Sequence, residues 1–428
     1  MKKVLIVTYY WPPAGGPGVQ RVLKFVKYLP QFGWEPIILT VENGEYPAID
    51  ESLEKDIPKR LKVYKVKSWE PFNLYKKVSG KKGNITTDVW NKSKNESFKS
   101  KVFRWIRANF FIPDARCGFI NSVKKEGLKI VKIEKPDLIF SSSPPHSVQL
   151  GAKELAKKTG IKWIADFRDP WTDGFWQKDL PRFKFIEQLD ERLERSILIN
   201  ADHIISVSEP IVESFNQKSE NNYSVIPNGY DEEDFNNLPE KYESKKFKIT
   251  YAGSLRESQI PYKLFDAIGL LAEKNKISDI EITFFGSVHK DALEYIKKLK
   301  LENLVEIKEY IPHRQLLSEI NSSDVVLLLI PNTKDNKGIL TGKIFEYLRS
   351  ENFILGFGPV DGSASEILRK TGSGKMLSYE ENPEDEIFNL YSKWSRGEVL
   401  LPHRKNIEDF SRENLTAKLA QVFDSLIN

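Results

Sequence analysis

Lys343 and Glu346 stand one helical turn apart in the run TGKIFEYL. The lysine supplies a cation suited to phosphate, the glutamate an acceptor suited to sugar hydroxyls. The chain ahead of them is organised to present both. Val325–Ile330 is a run of six apolar residues, too short for a helix and β-branched enough to predict a strand covered on both faces. Loop Pro331–Thr341 follows. A helix predicted to begin near Gly342 would aim unsatisfied N–H groups and the positive end of its dipole at that loop, a natural seat for phosphate. Upstream, ITYAGSLRES repeats the theme: a strand, then Gly253 and Ser254, then Arg256. A guanidinium matches paired phosphate oxygens and stays charged, although a lone arginine is more often simply solvated. FFGSVHK ends another strand in Gly286 and Ser287, and EYIPHRQL puts Ile311 and Pro312 where backbone atoms would meet a planar base. His313 reads as an ordinary polar residue at a helix start, without a catalytic role.

The amino-terminal half has its own polar loops. In TYYWPPAGGPGVQR, Gly15 and Gly16 permit close backbone approach to a ligand, or make a tight turn. The spacing departs from GxGxxG, so a dinucleotide fingerprint is not implied. Arg21 faces either a phosphate or solvent. DFRDPWTD gathers Asp166, Arg168, Asp169, Trp171 and Asp173 at one strand end. Two readings stay open there: an Asp–Arg pair bracing a loop, or Asp166 or Asp169 positioning an acceptor hydroxyl while Trp171 offers its ring to a sugar face. His146, after Pro144 and Pro145, lies at the neighbouring strand end. Between Lys99 and Arg116 cations alternate with Phe and Trp, a pattern that suits either a membrane interface or packing within a domain.

Composition narrows the classes. With 65 Lys+Arg against 60 Asp+Glu in 428 residues, the net charge of +5 does not point to nucleic acid. The single cysteine, Cys117, excludes an intramolecular disulfide and a multi-cysteine metal site, and the five histidines lack metal-ligand spacing. No metal and no cofactor are expected. The apolar start of MKKVLIVTYYWPP is cut short by Trp-Pro-Pro and reads as a first strand, not a signal core. No run approaches the roughly 20 apolar residues of a spanning helix, so a cytoplasmic protein is expected, with a peripheral contact on the inner membrane face as a further expectation.

Strands alternate with helices along nearly the whole chain, which predicts parallel, doubly wound sheets. The first series runs from Val4 to about residue 207, interrupted by the Lys-, Asn- and Ser-rich stretch Trp69–Arg116, which reads largely as an insertion. VIPNGYD carries a turn signature, and Glu232–Lys248 reads as a linker. A second series follows, with strands at Lys248–Ala252, Glu281–Phe285, Val305–Glu309, Val325–Ile330 and Phe353–Phe357. Two Rossmann-like domains facing across a cleft are therefore expected: 1–230, 231–405, and a closing helix in 406–428 that packs back toward the first.

The ordered set GGPGVQR, ISVSEP, VIPNGYD, YAGSLR, FFGS and KIFEYL resembles the retaining glycosyltransferases of GT-B fold, specifically glycosyltransferase family 4. The resemblance spans nearly the whole chain. It implies a nucleotide-diphosphate sugar held mainly by the carboxyl-terminal domain, a glycan or lipid-linked acceptor on the amino-terminal domain, and no metal. By the same resemblance Glu346 binds the ribose, Leu340, Thr341 and Gly342 hold the diphosphate through their backbone, and Gly16 sits near the donor phosphates. Gly15, Gly253, Ser254, Ser287 and Ile311 complete the donor side. Arg256 and Lys343, with Asp166 and Asp169, are the expected catalytic group; His146, Arg168 and Trp171 flank the acceptor. Stabilising the departing nucleoside diphosphate is then the main catalytic work. Three departures accompany the likeness. Gly338 stands where the family has the first glutamate of its pair, the one for the donor sugar, Ser254 and Gln259 stand where it has Arg and Lys, and Asp166–Asp169 replace its histidine. Arg256, with Lys263 or Lys343, is the expected substitute. A nucleotide-sugar epimerase of similar architecture and a non-catalytic sugar-nucleotide scaffold are the alternatives.

Overall fold

The computed structural model describes residues 1–46, 48–69, 98–174, 177, 180–236, 238–239, 244–401 and 403–427. The expectation of an insertion falls for residues 70–97 outside the described residues. Thirteen strands are described: β1 (Lys2–Thr8), β2 (Trp34–Val41), β3 (Lys62–Val66), β4 (Leu138–Ser143), β5 (Lys162–Phe167), β6 (His203–Ser206), β7 (Tyr223–Val225), β8 (Phe247–Ala252), β9 (Ile280–Phe285), β10 (Val305–Lys308), β11 (Val325–Leu329), β12 (Phe353–Phe357) and β13 (Gly374–Leu377). Helices fill the connections. They are α1 (Pro17–Tyr28), α2 (Phe98–Phe110), α3 (Gly118–Glu134), α4 (Ser147–Thr159), α5 (Lys184–Asn200), α6 (Glu209–Lys218), α7 (Glu232–Phe235), α8 (Tyr262–Glu273), α9 (Lys290–Lys298), α10 (His313–Asn321), α11 (Lys343–Ser350), α12 (Ser363–Thr371), α13 (Glu384–Ser395) and α14 (Arg412–Ile427).

The chain forms two compact units, one of Met1–Pro227 with Arg412–Asn428, the other of Asn228–Ser411. The first holds a parallel sheet in the order β3-β2-β1-β4-β5-β6-β7, the second a parallel sheet in the order β10-β9-β8-β11-β12-β13. Two Rossmann-like sheets, as the alternation predicts, are present. Continuous apolar runs form their central strands because both faces are covered. In β1, Leu5 and Val7 enter one core while Val4 and Ile6 enter the other. In β11, Val325, Leu327 and Leu329 face one side of the second sheet, Val326 and Leu328 the opposite side.

In the first unit α14 closes the core that holds Val4 and Ile6, contributing Leu415, Leu419 and Phe423. The Trp34 indole fixes its register, meeting Phe423 edge to face at 5.1 Å and donating to Asp424 at 3.2 Å. Strand β4 runs three residues past its apolar part. Ser141, Ser142 and Ser143 are fully buried there, tolerated because their hydroxyls pair with Gln149, Asp166 and the Gln149 amide. Each sheet reverses its winding at one point, β1/β4 in the first and β8/β11 in the second. Loops at the carboxyl ends of those strands diverge and leave room for ligands.

Candidate functional site

In the second unit a cavity of about 580 Å³ opens at the carboxyl ends of β8 and β9. Gly253 and Gly286 are its floor. Both have left-handed backbones, at φ 121° and 119°, and neither has room for a side chain. A Cβ on Gly253 would lie 2.3 Å from the Lys343 ammonium, and one on Gly286 would lie 3.0 Å from the Gly253 backbone. The glycines are thus required by two close approaches, one of them to the cation itself. Ser254 and Ser287 line the same cavity, together with Ile311, the exposed Tyr310 ring, Lys343 and Glu346.

Lys343 enters from the first turn of α11. Its ammonium donates to the Tyr251 hydroxyl at 3.3 Å and lies 4.6 Å from the centre of that ring. Burial lowers its pKa to about 8, with Glu346 pulling upward and Arg256 pushing further down. An ammonium held dry and short of anionic partners gains most from an incoming phosphate. The Tyr251 hydroxyl donates in turn to the Ser254 carbonyl, and burial holds its pKa above the ordinary tyrosine value. Tyr347, one turn beyond Lys343 on α11, accepts from the Ala252 N–H. Two tyrosines thereby lock the lysine helix to the glycine floor. Glu346 lines the same cavity, and the His313 ring N–H donates to its carboxylate at 2.9 Å.

Not every expected donor residue reaches this cavity. Arg256 is exposed and outside its lining, near enough for its charge to act on Lys343. Leu340 packs beside an apolar core, and Thr341 and Gly342 also lie outside the lining. Gly342 precedes α11 in ordinary right-handed geometry. Gln259 turns inward and donates to the Leu329 carbonyl at 2.8 Å, a brace between the loop after β8 and the end of β11. Lys263 is exposed on α8.

In the first unit the structure revises three expectations. Asp166 is fully buried, and its carboxylate accepts from Arg21 Nη2 at 2.7 Å, Arg21 Nε at 3.1 Å and Ser142 Oγ at 2.6 Å. A carboxylate so enclosed braces the sheet and is not placed to act on an acceptor. Arg21 faces neither phosphate nor solvent, since its third contact is the Pro227 carbonyl. Trp171 is also fully buried, stacked 4.6 Å from the His146 ring and donating to Asp190 at 3.0 Å, so its faces are closed to a sugar.

His146 is almost fully enclosed. Its Nδ1 has no hydrogen-bond partner among the described residues, and burial beside Arg168 and Arg182 lowers its pKa to about 3, leaving it neutral. Arg168 reaches Ser142 Oγ at 2.7 Å and the Pro144 carbonyl, and its guanidinium lies where a Cβ on Gly18 would touch it. Asp169 is half-buried beside it, its pKa raised by burial. Gly15 and Gly16 form the turn into α1, Gly16 with φ 105°.

Residues 85–234 match the family model described as Glycosyltransferase Family 4. The fold is shared with two solved structures: sucrose-phosphate synthase of Thermosynechococcus elongatus (TM-score 0.63, 12% identity, covering 100% of this chain and 99% of that one) and HepE of Anabaena, solved with UDP (TM-score 0.65, 14% identity, 99% and 100%). The family match thus covers about a third of the chain, and the structural likeness extends over all of it. A putative UDP-N-acetylglucosamine 2-epimerase of Listeria monocytogenes is also similar (TM-score 0.53, 12% identity, 100% and 97%). No curated protein sequence matches.

The sequence left two connections unseen. His313 bonds Glu346 across 33 residues, and Tyr251 meets Lys343 across 92. Neither spacing carries a local signal, because both contacts are made by the sheet order. The only hint was that each partner sits at the end of a strand or the start of a helix on one sheet edge.

Proposed function

We propose that this protein transfers a sugar from a nucleotide-diphosphate sugar to a glycan or lipid-linked acceptor with retention, in cell-surface polysaccharide synthesis. The observation that carries this reading is the single cavity in which Lys343 and Glu346 converge over Gly253 and Gly286. Glu346 holds the ribose hydroxyls, the neighbourhood of Ile311 meets the base, and Lys343 with Arg256 neutralises the diphosphate as it departs. The C1–O bond to the β-phosphate breaks, the acceptor oxygen bonds C1 from the same face, and the acceptor proton leaves with the diphosphate. No protein nucleophile and no metal take part in this scheme. The amino-terminal unit carries the acceptor, with Arg168 and Asp169, directly after β5, on the acceptor side. That HepE was solved with UDP-glucose supports a nucleotide sugar as the donor class.

The working place proposed is the cytoplasmic face of a membrane. No helix among the described residues is long and apolar enough to cross one. An aromatic ridge, Phe110–Trp105–Phe183–Phe185, instead joins the end of α2 to the start of α5, with Phe110 and Phe185 exposed next to Lys184. The inner side of α2 packs on the unit, where Asn109 holds the Pro181 carbonyl and the Phe183 N–H. The inner face packs within the unit, and the exposed ridge supports a membrane contact.

The epimerase-like neighbour keeps a second reading in play, and one assay separates them. Purified protein is incubated with a panel of labelled nucleotide sugars and membrane acceptors. Sugar in the acceptor with release of nucleoside diphosphate, lost in Lys343→Ala and Arg256→Ala and unaffected by EDTA, is the expected result. An isomerised nucleotide sugar would mean an epimerase, and binding without turnover a scaffold.

A further inference from the structure

We infer that His313 is the residue that sets ribose selectivity, by holding the Glu346 carboxylate in the orientation that accepts a sugar diol. The inference rests on the reading of Glu346 as the ribose acceptor. His313 is the first residue of α10, and its Nε2 lies 2.9 Å from Glu346 Oε1. Glu346 is on α11 and lines the cavity three residues after Lys343. A glutamate side chain has three rotatable bonds, and with Lys343 on the same helix face its carboxylate has an alternative attraction one turn away. A hydrogen bond from a second helix removes that choice. Nε2–H engages Oε1, which leaves Oε2 and the remaining lone pair of Oε1 to accept from two vicinal hydroxyls.

The residues around the pair favour this division of labour. His313 is itself outside the cavity lining while Glu346 is within it, so the imidazole acts on a ligand only through the carboxylate. The pair is half-exposed, with side-chain exposures of 41% for His313 and 25% for Glu346, so a ligand can displace water from the glutamate without dismantling a core. Orientation by a neighbouring hydrogen bond is the general way in which a binding group is preorganised. His313 is therefore a positioning residue, not a catalytic one.

Calorimetric titration of UDP, GDP and ADP, each in ribo- and 2′,3′-dideoxy form, tests this on the full chain. The wild type is expected to prefer the ribo form of the nucleotide it binds. His313→Phe keeps the ring volume but removes the donor; it should lower ribo affinity about five- to tenfold, as expected for a half-exposed hydrogen bond to a carboxylate, and leave dideoxy affinity unchanged. His313→Gln, whose amide nitrogen reaches the Nε2 position, should restore most of the preference. Glu346→Gln should abolish it whichever residue stands at 313. An unchanged ribo/dideoxy ratio in a folded His313→Phe variant, or equal losses for both forms, would overturn the inference while leaving the nucleotide site intact. Failure of the wild type to bind any of the nucleotides would overturn the site assignment, and the inference with it.

Discussion

Nucleotide affinity should fall as the pH rises through the range in which Lys343 loses its proton. The ammonium is held at a pKa of about 8 by burial, with Arg256 adding to the depression and Glu346 opposing it. Tyr251, its direct partner, is pushed above its ordinary value and stays neutral throughout. With that pKa roughly 90% of Lys343 is charged at pH 7 and roughly 10% at pH 9, so a ligand that needs the cation binds about tenfold more weakly at the higher pH. Binding of a diphosphate raises the lysine pKa, so proton uptake on binding should grow across the same interval. Removing the charge in Lys343→Met should cost about 2 kcal/mol, roughly thirtyfold, the scale of a hydrogen bond to a charged group.

Isothermal titration in buffers of different ionisation enthalpy reads both quantities. The apo protein should show the opposite trend. A lysine whose folded pKa lies below its unfolded value of 10.5 leaves the folded state with fewer protons, so this site adds stability as pH rises from about 8 toward 10.5. The melting temperature of wild type relative to Lys343→Met should therefore rise with pH in that window while nucleotide affinity falls. A wild-type affinity that is flat from pH 7 to 9, with no proton uptake, would refute the assignment of Lys343 to the phosphates.

The buried Arg21–Asp166 pair gives a stability test: Arg21→Ala strands an ionised carboxylate and should cost about 3–5 kcal/mol by denaturant unfolding, whereas a loss below about 1 kcal/mol would show the pair to be unimportant. Arg21→Met with Asp166→Leu should recover much of that loss. Gly253→Ala forces a strained left-handed backbone and a Cβ onto the Lys343 ammonium, so nucleotide binding should disappear and stability fall by about 1–3 kcal/mol; retained binding would mean that Lys343 can leave the floor freely. For the aromatic ridge, a Phe110→Ser, Phe185→Ser variant should lose roughly tenfold or more in flotation with anionic vesicles, since a fully buried Phe is worth about 1.5–3 kcal/mol. Equal flotation by variant and wild type would remove the membrane-contact reading.

Much of the fold was legible because its strands are covered on both faces. Runs such as Val325–Ile330 can hardly be anything but central strands of a parallel sheet. Short edge strands were less legible. β7 and β13 carry Tyr-Ser-Val and Gly-Lys-Met-Leu, without an apolar run, and exist because a neighbouring strand offers a free ladder. The tail of β4 was hidden by its serines, whose burial depends on partners from α4 and β5.

The site divides in the same way. Lys343, Glu346, Gly253, Ser254, Ser287 and Ile311 were readable because each follows a strand or opens a helix on one sheet edge, and they meet in one cavity. Asp166 and Trp171 misled because polar or aromatic residues at a strand end look alike whether they face ligand or brace the loop. Only the position of Arg21 for one, and of His146 and Asp190 for the other, decides. The His313 contact needs the spacing between two helices, which no local pattern encodes.

The most direct test of the central claim is a crystal structure of the protein with the nucleoside diphosphate that binds it best. Phosphate oxygens within hydrogen-bond distance of the Lys343 ammonium and ribose hydroxyls on the Glu346 carboxylate are the expected result. A nucleotide bound at saturating concentration anywhere else, with the Gly253–Gly286 cavity empty, would contradict it.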